Sequence, residues 1–564
     1  MSSEQEILRI NNWETGIAKS PNKGFGMFKK ADIDEFAGSV TVQKKVASYF
    51  HAALAVTFTA DAGTDVCTIA SGTAPNTGTA VVLTTTGTLP AGLSLATNYF
   101  VIYVSATTFK LATTITNADA GTQIDITDAG SGVHTVTTVN PGTIRHFVND
   151  ERTSTVFCSD SNGRVWFTSS NVFMLLNGNT LTSSSGLGLA ILRTSDDSAT
   201  YLFSFRNAKI DVINVYGVSD KKTPSWTNGW QTLNTSAGTS NSHHAIRGQD
   251  NIIYYCDARY VGSIREIPST VFDPANSATY TFSVRALDLP NDEIANWLEE
   301  LGDNLLVGGL TTNKIYPWNR VDDSYNLPLA VPEIGIYRLK NLGGNVYICA
   351  GKLGNIYVSQ GSYVREFVSL PAYVINPNGS LDQNVITWGG VSEKRGSLLV
   401  GVGTIGNENS GVYKIYQDGR ITIDNVPSTG TTNATALFAP DDYYYVGYSG
   451  GADRVSGVRY SDYSTIVHSA FYQVATKTQK GTFSKLDMVL SRAATGGSVR
   501  VSYRTQTSGS FTTIATFTAD STNNTFQEDN IGLVDLENIQ IQIELSDSAV
   551  GSVDIELVEL RLIP

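Results

Sequence analysis

The sequence predicts an all-β protein: a seven-bladed β-propeller with an inserted small β domain and a C-terminal β-sandwich of jelly-roll type. Three observations predict this fold class. The composition, with 51 Gly, 26 Tyr and 22 Phe but only 16% charged residues, is typical of short strands joined by many turns. A hairpin-like segment recurs through the middle of the chain, and cleanly alternating strands follow it. At 564 residues the chain is also too long for one ordinary domain.

The predicted domains follow one another along the chain. Residues 1–54 form an N-terminal arm and the first strand of the propeller, and residues 55–139 form the inserted β module. Residues 140–469 are assigned to the propeller and residues 470–564 to the sandwich. In this last region, runs such as SVRVSYR (498–504) alternate apolar and polar residues. That alternation indicates strands with one face on a core and the other in water.

The repeated segment has an apolar run, a turn rich in Gly, Asn or Asp, and a second run with aromatic residues at every other position. Gly and Asn supply the positive φ that tight hairpin turns require. A single hairpin is marginal in water, so units of this kind bury their faces against neighbours, which favours a propeller. A pair of sandwiches is the alternative, with strands at an even, shorter spacing. The segments are residues 156–170, 201–216, 251–267, 304–319, 345–360, 397–417 and 443–461.

One segment, NDEIANWLEELGDN (291–304), interrupts this pattern. Asn291 stands at the N-cap position, acidic residues follow it, and Gly302 would end the element. The sequence therefore predicts a short helix that links two blades and packs on the core. The residues of its apolar face are Ile294, Trp297, Leu298 and Leu301.

Charge and hydropathy argue against several partner classes. The formal net charge of −13 has the wrong sign for wrapping nucleic acid phosphates, so no specific nucleic-acid partner is expected. There is no apolar stretch of 18 residues, so no membrane insertion is expected. The opening MSSEQEILRI lacks the basic start and apolar core of a signal peptide. We expect the protein to be made and assembled in a host cytoplasm.

The cysteines show neither metal-ligand nor disulfide spacing. None of the four belongs to a CxxC pair, and each lies in or beside an apolar, strand-like run, where reduced cysteine acts as a small hydrophobe. We therefore expect no metal site and no cofactor. The cysteines are Cys67, Cys158, Cys256 and Cys349.

No catalytic residues are predicted, and the chain is not expected to be an enzyme. SDSNGRVW (159–166) partly resembles the aspartate-box turn of sialidase-type propellers, but Ser161 and Val165 depart from that pattern. A glycine hairpin with a buried Trp166 is the preferred interpretation. The adjacent acidic pairs point to opposite faces if they lie in strands and cap turns if they lie in loops. These pairs are Asp196–Asp197, Asp322–Asp323 and Asp441–Asp442.

Two further sequence features are candidates for functional sites. His243–His244 is the only histidine pair, but it lacks metal-ligand spacing, and a surface loop entering a blade is the expected setting. In WTNGW (226–230), Trp226 and Trp230 combine rings with turn residues. Such rings stack on sugars or anchor interfaces, although in a propeller they also pack between blades. Trp226 and Trp230 are the predicted candidates for surface or glycan contact.

The inserted module resembles one that recurs in virion proteins of tailed bacteriophages. The resemblance rests on Leu89-Pro90-Ala91-Gly92-Leu93, Tyr99, Phe109-Lys110-Leu111-Ala112, Gly121-Thr122, and Gly132 before His134. The segment GIAKSPNKGFGMFKKADIDEFAGSVTVQKKV also resembles the opening of phage tail proteins, and the whole architecture is similar to tail nozzle proteins.

This resemblance implies a structural role in the tail of a phage virion, as a nozzle, hub or adaptor. The implied partners are other tail proteins and further copies of the chain in a ring, together with a host surface glycan as a further option. A host-glycan receptor and a propeller glycoside hydrolase or sialidase-like depolymerase remain the alternatives.

Overall fold

The protein is all-β. The computed structural model describes residues 8–10, 27–29, 31–34, 39–42, 44–50, 54–169, 172–176, 186–206, 208–215, 226–234, 243–370, 373–375, 381–383, 386–404, 410–425, 433–440, 443–459, 465–469, 472–473, 480–492, 497–506, 509–518, 526–546 and 556–564. Among them the only α-helix is α1 (Ile115–Ala120). No helix of these residues has the length and hydropathy needed to cross a lipid bilayer.

The chain divides into two compact units. The first unit comprises Ser48–Leu339 and Gly447–Asp453, and the second comprises Met1–Ala47, Lys340–Val446 and Arg454–Pro564. Short strands open the chain and are distributed over several sheets. They are β1 (Leu8–Ile10), β2 (Met27–Lys29), β3 (Ala31–Asp34), β4 (Ser39–Val42) and β5 (Lys44–Ser48).

The inserted module is a closed β-barrel with the strand order β10-β7-β6-β11-β8-β9. The chain enters at Leu54 and leaves at Val139, which lie close together because Thr138 N donates to Leu54 O. Alternate residues point inward and form a separate core that includes Phe58 and Phe109. The strands are β6 (Ala55–Asp61), β7 (Val66–Ile69), β8 (Ala80–Thr85), β9 (Tyr99–Ser105), β10 (Thr108–Ala112) and β11 (His134–Thr138).

The first unit continues with four-stranded antiparallel sheets, each formed by strands that follow one another in the chain. We number these sheets one to four. They contain, in order, β12 (Ile144–Asp150), β13 (Thr155–Asp160), β14 (Val165–Ser169) and β15 (Val172–Leu175); β16 (Gly186–Arg193), β17 (Thr200–Arg206), β18 (Lys209–Asn214) and β19 (Thr227–Thr232); β20 (Ala245–Arg247), β21 (Ile253–Asp257), β22 (Tyr260–Glu266) and β23 (Tyr280–Asp288); and β24 (Ala295–Leu301), β25 (Asn304–Gly309), β26 (Lys314–Trp318) and β27 (Leu329–Ala330).

The same meander recurs afterwards. Sheet five is β28-β29-β30-β31, sheet six begins β34-β35-β36-β37, and sheet seven is β38-β39-β40-β5, so its fourth strand comes from the N-terminal region. The strands are β28 (Ile336–Leu342), β29 (Asn345–Ala350), β30 (Asn355–Ser359), β31 (Val364–Ser369), β32 (Tyr373–Ile375), β33 (Leu381–Gln383), β34 (Ile386–Lys394), β35 (Ser397–Thr404), β36 (Gly411–Ile415), β37 (Ile421–Asn425), β38 (Ala436–Phe438), β39 (Tyr444–Tyr448) and β40 (Gly451–Arg459).

Two larger sheets contain the C-terminal strands and incorporate N-terminal ones. One has the order β3-β4-β48-β43-β46, with β1 paired to β48. In the other, β2 joins sheet six to the C-terminal strands, because it pairs with both β37 and β41 before β47, β44 and β45. The strands are β41 (Thr465–His468), β42 (Tyr472–Gln473), β43 (Gly481–Arg492), β44 (Ser498–Arg504), β45 (Thr512–Thr518), β46 (Phe526–Leu536), β47 (Asn538–Ser546) and β48 (Glu556–Ile563).

Burial on both faces explains why the repeated hairpins are so apolar. In β21, Ile253 and Tyr255 belong to a cluster shared with sheet two, whereas Tyr254 and Cys256 belong to a cluster shared with sheet four. Each side chain buried in this way stabilises the fold by about 1.5–3 kcal/mol. All four cysteines are buried and none of them forms a disulfide, and burial raises the pKa of the Cys67 thiol to about 12.

The helix predicted at 291–304 is wrong. Residues Ala295–Leu301 form β24, which pairs with β25 through a tight turn in which Gly302 has φ +56°. Ile294, Trp297, Leu298 and Leu301 suited a helix by spacing, but the backbone pairs with β25 and the Trp297 indole donates to Leu339 O at 2.9 Å. Tertiary pairing therefore outweighs the weak local preference for a helix.

Candidate functional site

Trp230 lies in the cluster between sheets two and three rather than on an open loop. Its ring is 4.9 Å from Tyr280 and 5.5 Å from Phe203, measured between centroids. Its indole N–H donates to Pro274 O at 2.9 Å. With the ring and its donor both engaged, only part of the indole is left for a ligand.

Trp226 is half-buried at the start of the described segment 226–234. Its indole nitrogen is buried and has no hydrogen-bond partner among the described residues. Residues 227 and 228, which follow it in β19, are exposed. Trp226 and Trp230 thus lie in different surroundings, and the structure does not bring them together as one stacking platform.

The histidine pair was predicted on a surface loop, and this is wrong. His243 is fully buried and its Nδ1 lies 2.8 Å from Cys256 O. His244 is also buried, and its Nδ1 accepts the Leu298 N–H at 3.1 Å. The pair directly precedes β20, the first strand of sheet three, which lies beside β16 and β24. Neighbouring strands on both sides explain the burial.

First strands of different sheets contribute to one stacked cluster. The His244 ring lies 3.5 Å from the Trp297 ring at 17°, and Arg338 covers Trp297 with its guanidinium carbon 4.5 Å from the ring centroid. His146 meets His244 edge-on at 5.3 Å. These residues come from β12, β24, β28 and the segment that directly precedes β20.

His146 is a member of this cluster whose pKa is shifted. Burial, reinforced by the positive charge of Arg338, lowers the pKa of His146 to about 4. The His146 imidazole is therefore neutral at pH 7, and no partner carboxylate among the described residues stabilises its charged form. The stacked rings and the covering guanidinium form a packed contact.

The buried carboxylate of Glu293 is fully occupied by hydrogen bonds. It is 2% exposed and accepts from Ile294 N, from Thr311 N and Oγ1, from Thr312 Oγ1 and from the Tyr316 hydroxyl. Burial raises the pKa of Glu293, but these hydrogen bonds outweigh it and leave the pKa below its ordinary value. No hydrogen-bonding position of the carboxylate is open to a substrate, so Glu293 stabilises sheet four.

The turn that resembles an aspartate box is a structural hairpin. Asp160 accepts the Trp166 indole N–H at 3.0 Å and the backbone N–H groups of Asn162 and Arg164. Gly163 has φ +75°, and Trp166 is buried. The predicted glycine hairpin with a buried tryptophan is confirmed.

The acidic pair Asp196–Asp197 also has structural partners. Asp196 Oδ1 accepts the N–H and the hydroxyl of Ser198, which lowers the Asp196 pKa. Asp197 forms ion pairs with Arg193 and Arg152. Asp441 and Asp442 lie outside the described residues. Within the described ranges, no group of three or more His, Cys, Asp or Glu side chains is placed to hold a metal ion.

The barrel packs on sheet one through aromatic rings that precede and follow it. Phe50 meets Trp166 edge-on at 5.1 Å and stacks on Phe173 at 5.2 Å. Gly78 of the barrel has φ +84° and faces Met174, where a Cβ would lie 3.2 Å from the methionine methyl group. The chain therefore enters and leaves the barrel at a packed seam.

Apolar side chains are exposed in loops rather than gathered around a cleft. In the loop between β26 and β27, Val321 is 85% exposed and Leu327 is 87% exposed. At the end of the barrel away from sheet one, Leu95 and Val133 are exposed. Apolar side chains exposed singly in this way are ordinary surface features and by themselves mark no site.

No family model and no curated protein matches this chain. Among solved structures, it is similar to the β-propeller domain of Cps50 (Swd1) from Myceliophteria thermophila, with TM-score 0.38, 11% identity, and coverage of 57% of this chain and 98% of that chain. It is also similar to the RRP9 WD40 repeats, with TM-score 0.37, 12% identity, and coverage of 56% and 94%. A third similar structure is YCF48 bound to D1 peptide, with TM-score 0.36, 9% identity, and coverage of 56% and 93%.

Proposed function

We propose that this chain is a structural component of a tailed bacteriophage virion, where it docks to other tail proteins as a nozzle, hub or adaptor. Copies of the chain form a homo-oligomeric ring in the tail, and the chain is made and assembled in the host cytoplasm. Its body is a seven-bladed propeller that carries the barrel, with a C-terminal sandwich of jelly-roll type.

The sheet order supports the propeller. Sheets one to five are four-stranded meanders in chain order, and sheet six begins with such a meander before β2 extends it. In sheet seven, β5 adds the fourth strand from the other end of the chain. Completing the last blade with an N-terminal strand is a way to close a ring of blades without leaving a free edge. The alternating burial of β44 and β45 supports the sandwich, since one face of each strand is buried and the other partly exposed.

The observation that carries the tail assignment is the inserted barrel. Its sequence resembles the module that recurs in phage virion proteins, and it is attached as a separate barrel whose ends meet at the seam with sheet one. The internal partners of Glu293, Asp160 and the histidine pair also favour a binding or structural protein over an enzyme.

Immunogold electron microscopy of concentrated particles from the source culture tests this proposal. Antibody to the purified chain should place gold at one end of tailed particles, and antibody preadsorbed with that chain should not. Label position along the tail separates a nozzle from a hub or fibre. Unlabelled particles, with the antigen left in the soluble fraction, would contradict the virion assignment.

A host-glycan receptor is the second candidate, because one exposed cavity has side chains suited to a sugar. The glycoside hydrolase alternative requires two carboxylates facing each other across a cleft. Incubation with surface polysaccharide of the host strain separates these functions, since only the hydrolase would release reducing sugar.

A further inference from the structure

A polar cavity of about 50 Å³ lies at one end of sheet five. It is lined by Asn345, Val358, Ser359, Gln360, Tyr363 and Arg365. Asn345 is the first residue of β29, and the other five belong to the end of β30, the hairpin turn and the start of β31. The β28–β29 turn and the β30–β31 turn thus lie at the same end of the meander and form the cavity between them.

Tyr363 is held at the mouth of this cavity without being packed away. Its side chain is 63% exposed, and no ring contact engages it within the described residues. The turn before it is fixed because Gly361, at φ +99°, donates its N–H to Ser359 Oγ at 3.0 Å. Tyr363 therefore presents an open ring face from an ordered hairpin.

Arg365 carries a charge that no carboxylate neutralises among the described residues. Arg365 is the second residue of β31, Tyr363 directly precedes that strand, and both line the cavity. Arg365 pairs with Val358 in the β30–β31 ladder, and its neighbour Glu366 accepts a hydrogen bond from Ser369 Oγ. The exposed guanidinium thus has its donors available to an anion.

One hydrogen bond joins the two side-chain amides of the cavity and uses one polar group of each. Gln360 Nε2 donates to Asn345 Oδ1 at 3.0 Å. This leaves the Asn345 amide N–H groups and the Gln360 carbonyl oxygen for other partners. The cavity therefore combines an aromatic face, a cation, and both a neutral donor and a neutral acceptor.

We propose that this cavity binds a carboxylate-bearing sugar residue, such as a uronic or sialic acid at a chain end or branch. Arg365 takes the carboxylate through paired N–H groups, and the Tyr363 ring covers the apolar face of the sugar. Asn345 and Gln360 bind hydroxyl groups. This inference is independent of the tail assignment, because a glycan site can fail while the chain remains a tail component.

The size of the cavity sets the expected affinity. Typical small-molecule pockets hold about 300 Å³ or more, so this cavity encloses only part of one sugar. Most of the saccharide stays in water, and a dissociation constant of about 1 mM is expected. The charged contact is exposed, so raising the salt concentration should weaken binding.

The test is ligand-observed saturation-transfer NMR on the purified full chain, with titration to saturation. The probes are oligomers of glucuronate, galacturonate and mannuronate and N-acetylneuraminyl-lactose, each beside its carboxyl-reduced form. The variants are Tyr363→Ala and Arg365→Ala. The matched controls are Tyr103→Ala, an exposed barrel tyrosine, and Arg265→Ala, an exposed arginine of β22.

At least one acidic probe should bind saturably, its reduced form should bind roughly tenfold more weakly, and both cavity variants should lose binding by roughly tenfold or more. Both controls should bind like the wild type, and thermal melts should show that all four variants fold. Saturable binding to none of the four acidic probes would overturn the proposal. Loss in Tyr363→Ala with retention in Arg365→Ala would overturn the acidic class, and loss in the controls would place the site elsewhere.

Discussion

Sheets four and five have the same strand order, but the side chains around an arginine at one end of the meander differ between them. In sheet four, Arg320 is 12% exposed and forms ion pairs with Glu300 and, at 3.6 Å, with Asp250. In sheet five, Arg365 stands at the corresponding end with amides instead of acids around it. The asparagines that open the second strands match as well, since Asn304 accepts from Asn326 and Asn345 accepts from Gln360.

This difference shows how the same four-stranded sheet can carry either an internal ion-pair cluster or a binding site at one end. Where acidic side chains surround an arginine, the guanidinium forms ion pairs within the protein, and these groups only stabilise the sheet. Where they are replaced by amides, the same charge remains for an anion from solution. The comparison predicts that changes in sheet four alter stability, whereas changes in the cavity of sheet five alter binding.

The largest expected effect is in sheet four, at Trp297. Replacing Trp297 with Ala removes the stack on His244, the contact with Arg338 and the hydrogen bond to Leu339 O. We expect a loss of about 3 kcal/mol in the free energy of unfolding, measured by urea denaturation. Trp297→Phe keeps a ring and should lose clearly less. Equal losses in the two variants would show that the stack contributes little.

The next effect is a dependence of stability on pH that arises at His146. The folded state has the lower pKa, about 4, so the unfolded chain binds a proton at higher pH than the folded chain does. This contribution is complete above about pH 6.5 and is lost as the pH falls towards 4, up to about 3 kcal/mol. Urea midpoints measured from pH 7 to pH 4.5 test it. His146→Gln should flatten this part of the profile, and an unchanged slope would contradict the assignment.

A smaller effect is expected for Arg320→Ala in sheet four. Glu300 and Asp250 lose their cation, but each keeps other donors, since Gln249 N binds Glu300 and the Tyr254 hydroxyl binds Asp250. The expected loss is about 1 kcal/mol, reduced further at high salt. Arg265→Ala, at an exposed site, should change the urea midpoint by less. If Arg320→Ala left the urea midpoint unchanged, the ion pairs of Arg320 would not stabilise sheet four.

The smallest change in stability, and the sharpest test of the comparison, is Gln360→Glu. This variant supplies the cavity with a carboxylate for Arg365, as Glu300 supplies one for Arg320. Stability should change by less than about 0.5 kcal/mol because Gln360 is exposed. Binding of the acidic probe in the NMR titration should fall roughly tenfold, since the new carboxylate competes with the ligand. Undiminished binding would mean that Arg365 does not hold the sugar carboxylate.

The cavity was not predicted, although a signal for it exists. Trp226 and Trp230 attracted the prediction because their rings flank a turn, yet Trp230 is packed between sheets. QGSYVRE (360–366) holds a tyrosine and an arginine two residues apart after a glycine turn, and both line the cavity. What the sequence could not reveal is that Asn345, from another strand, lines the same cavity as Arg365.

By itself, the sequence determined that this protein is all-β, because strand-forming residues and turn residues alternate along nearly the whole chain. Only the tertiary structure decided where strands pair across long separations, such as β1 and β4 with β48. It also decided that Ala295–Leu301 is a strand and that His243 and His244 are buried. Local patterns record each residue's own preference, whereas pairing and burial depend on neighbours elsewhere in the chain, some of them hundreds of residues away.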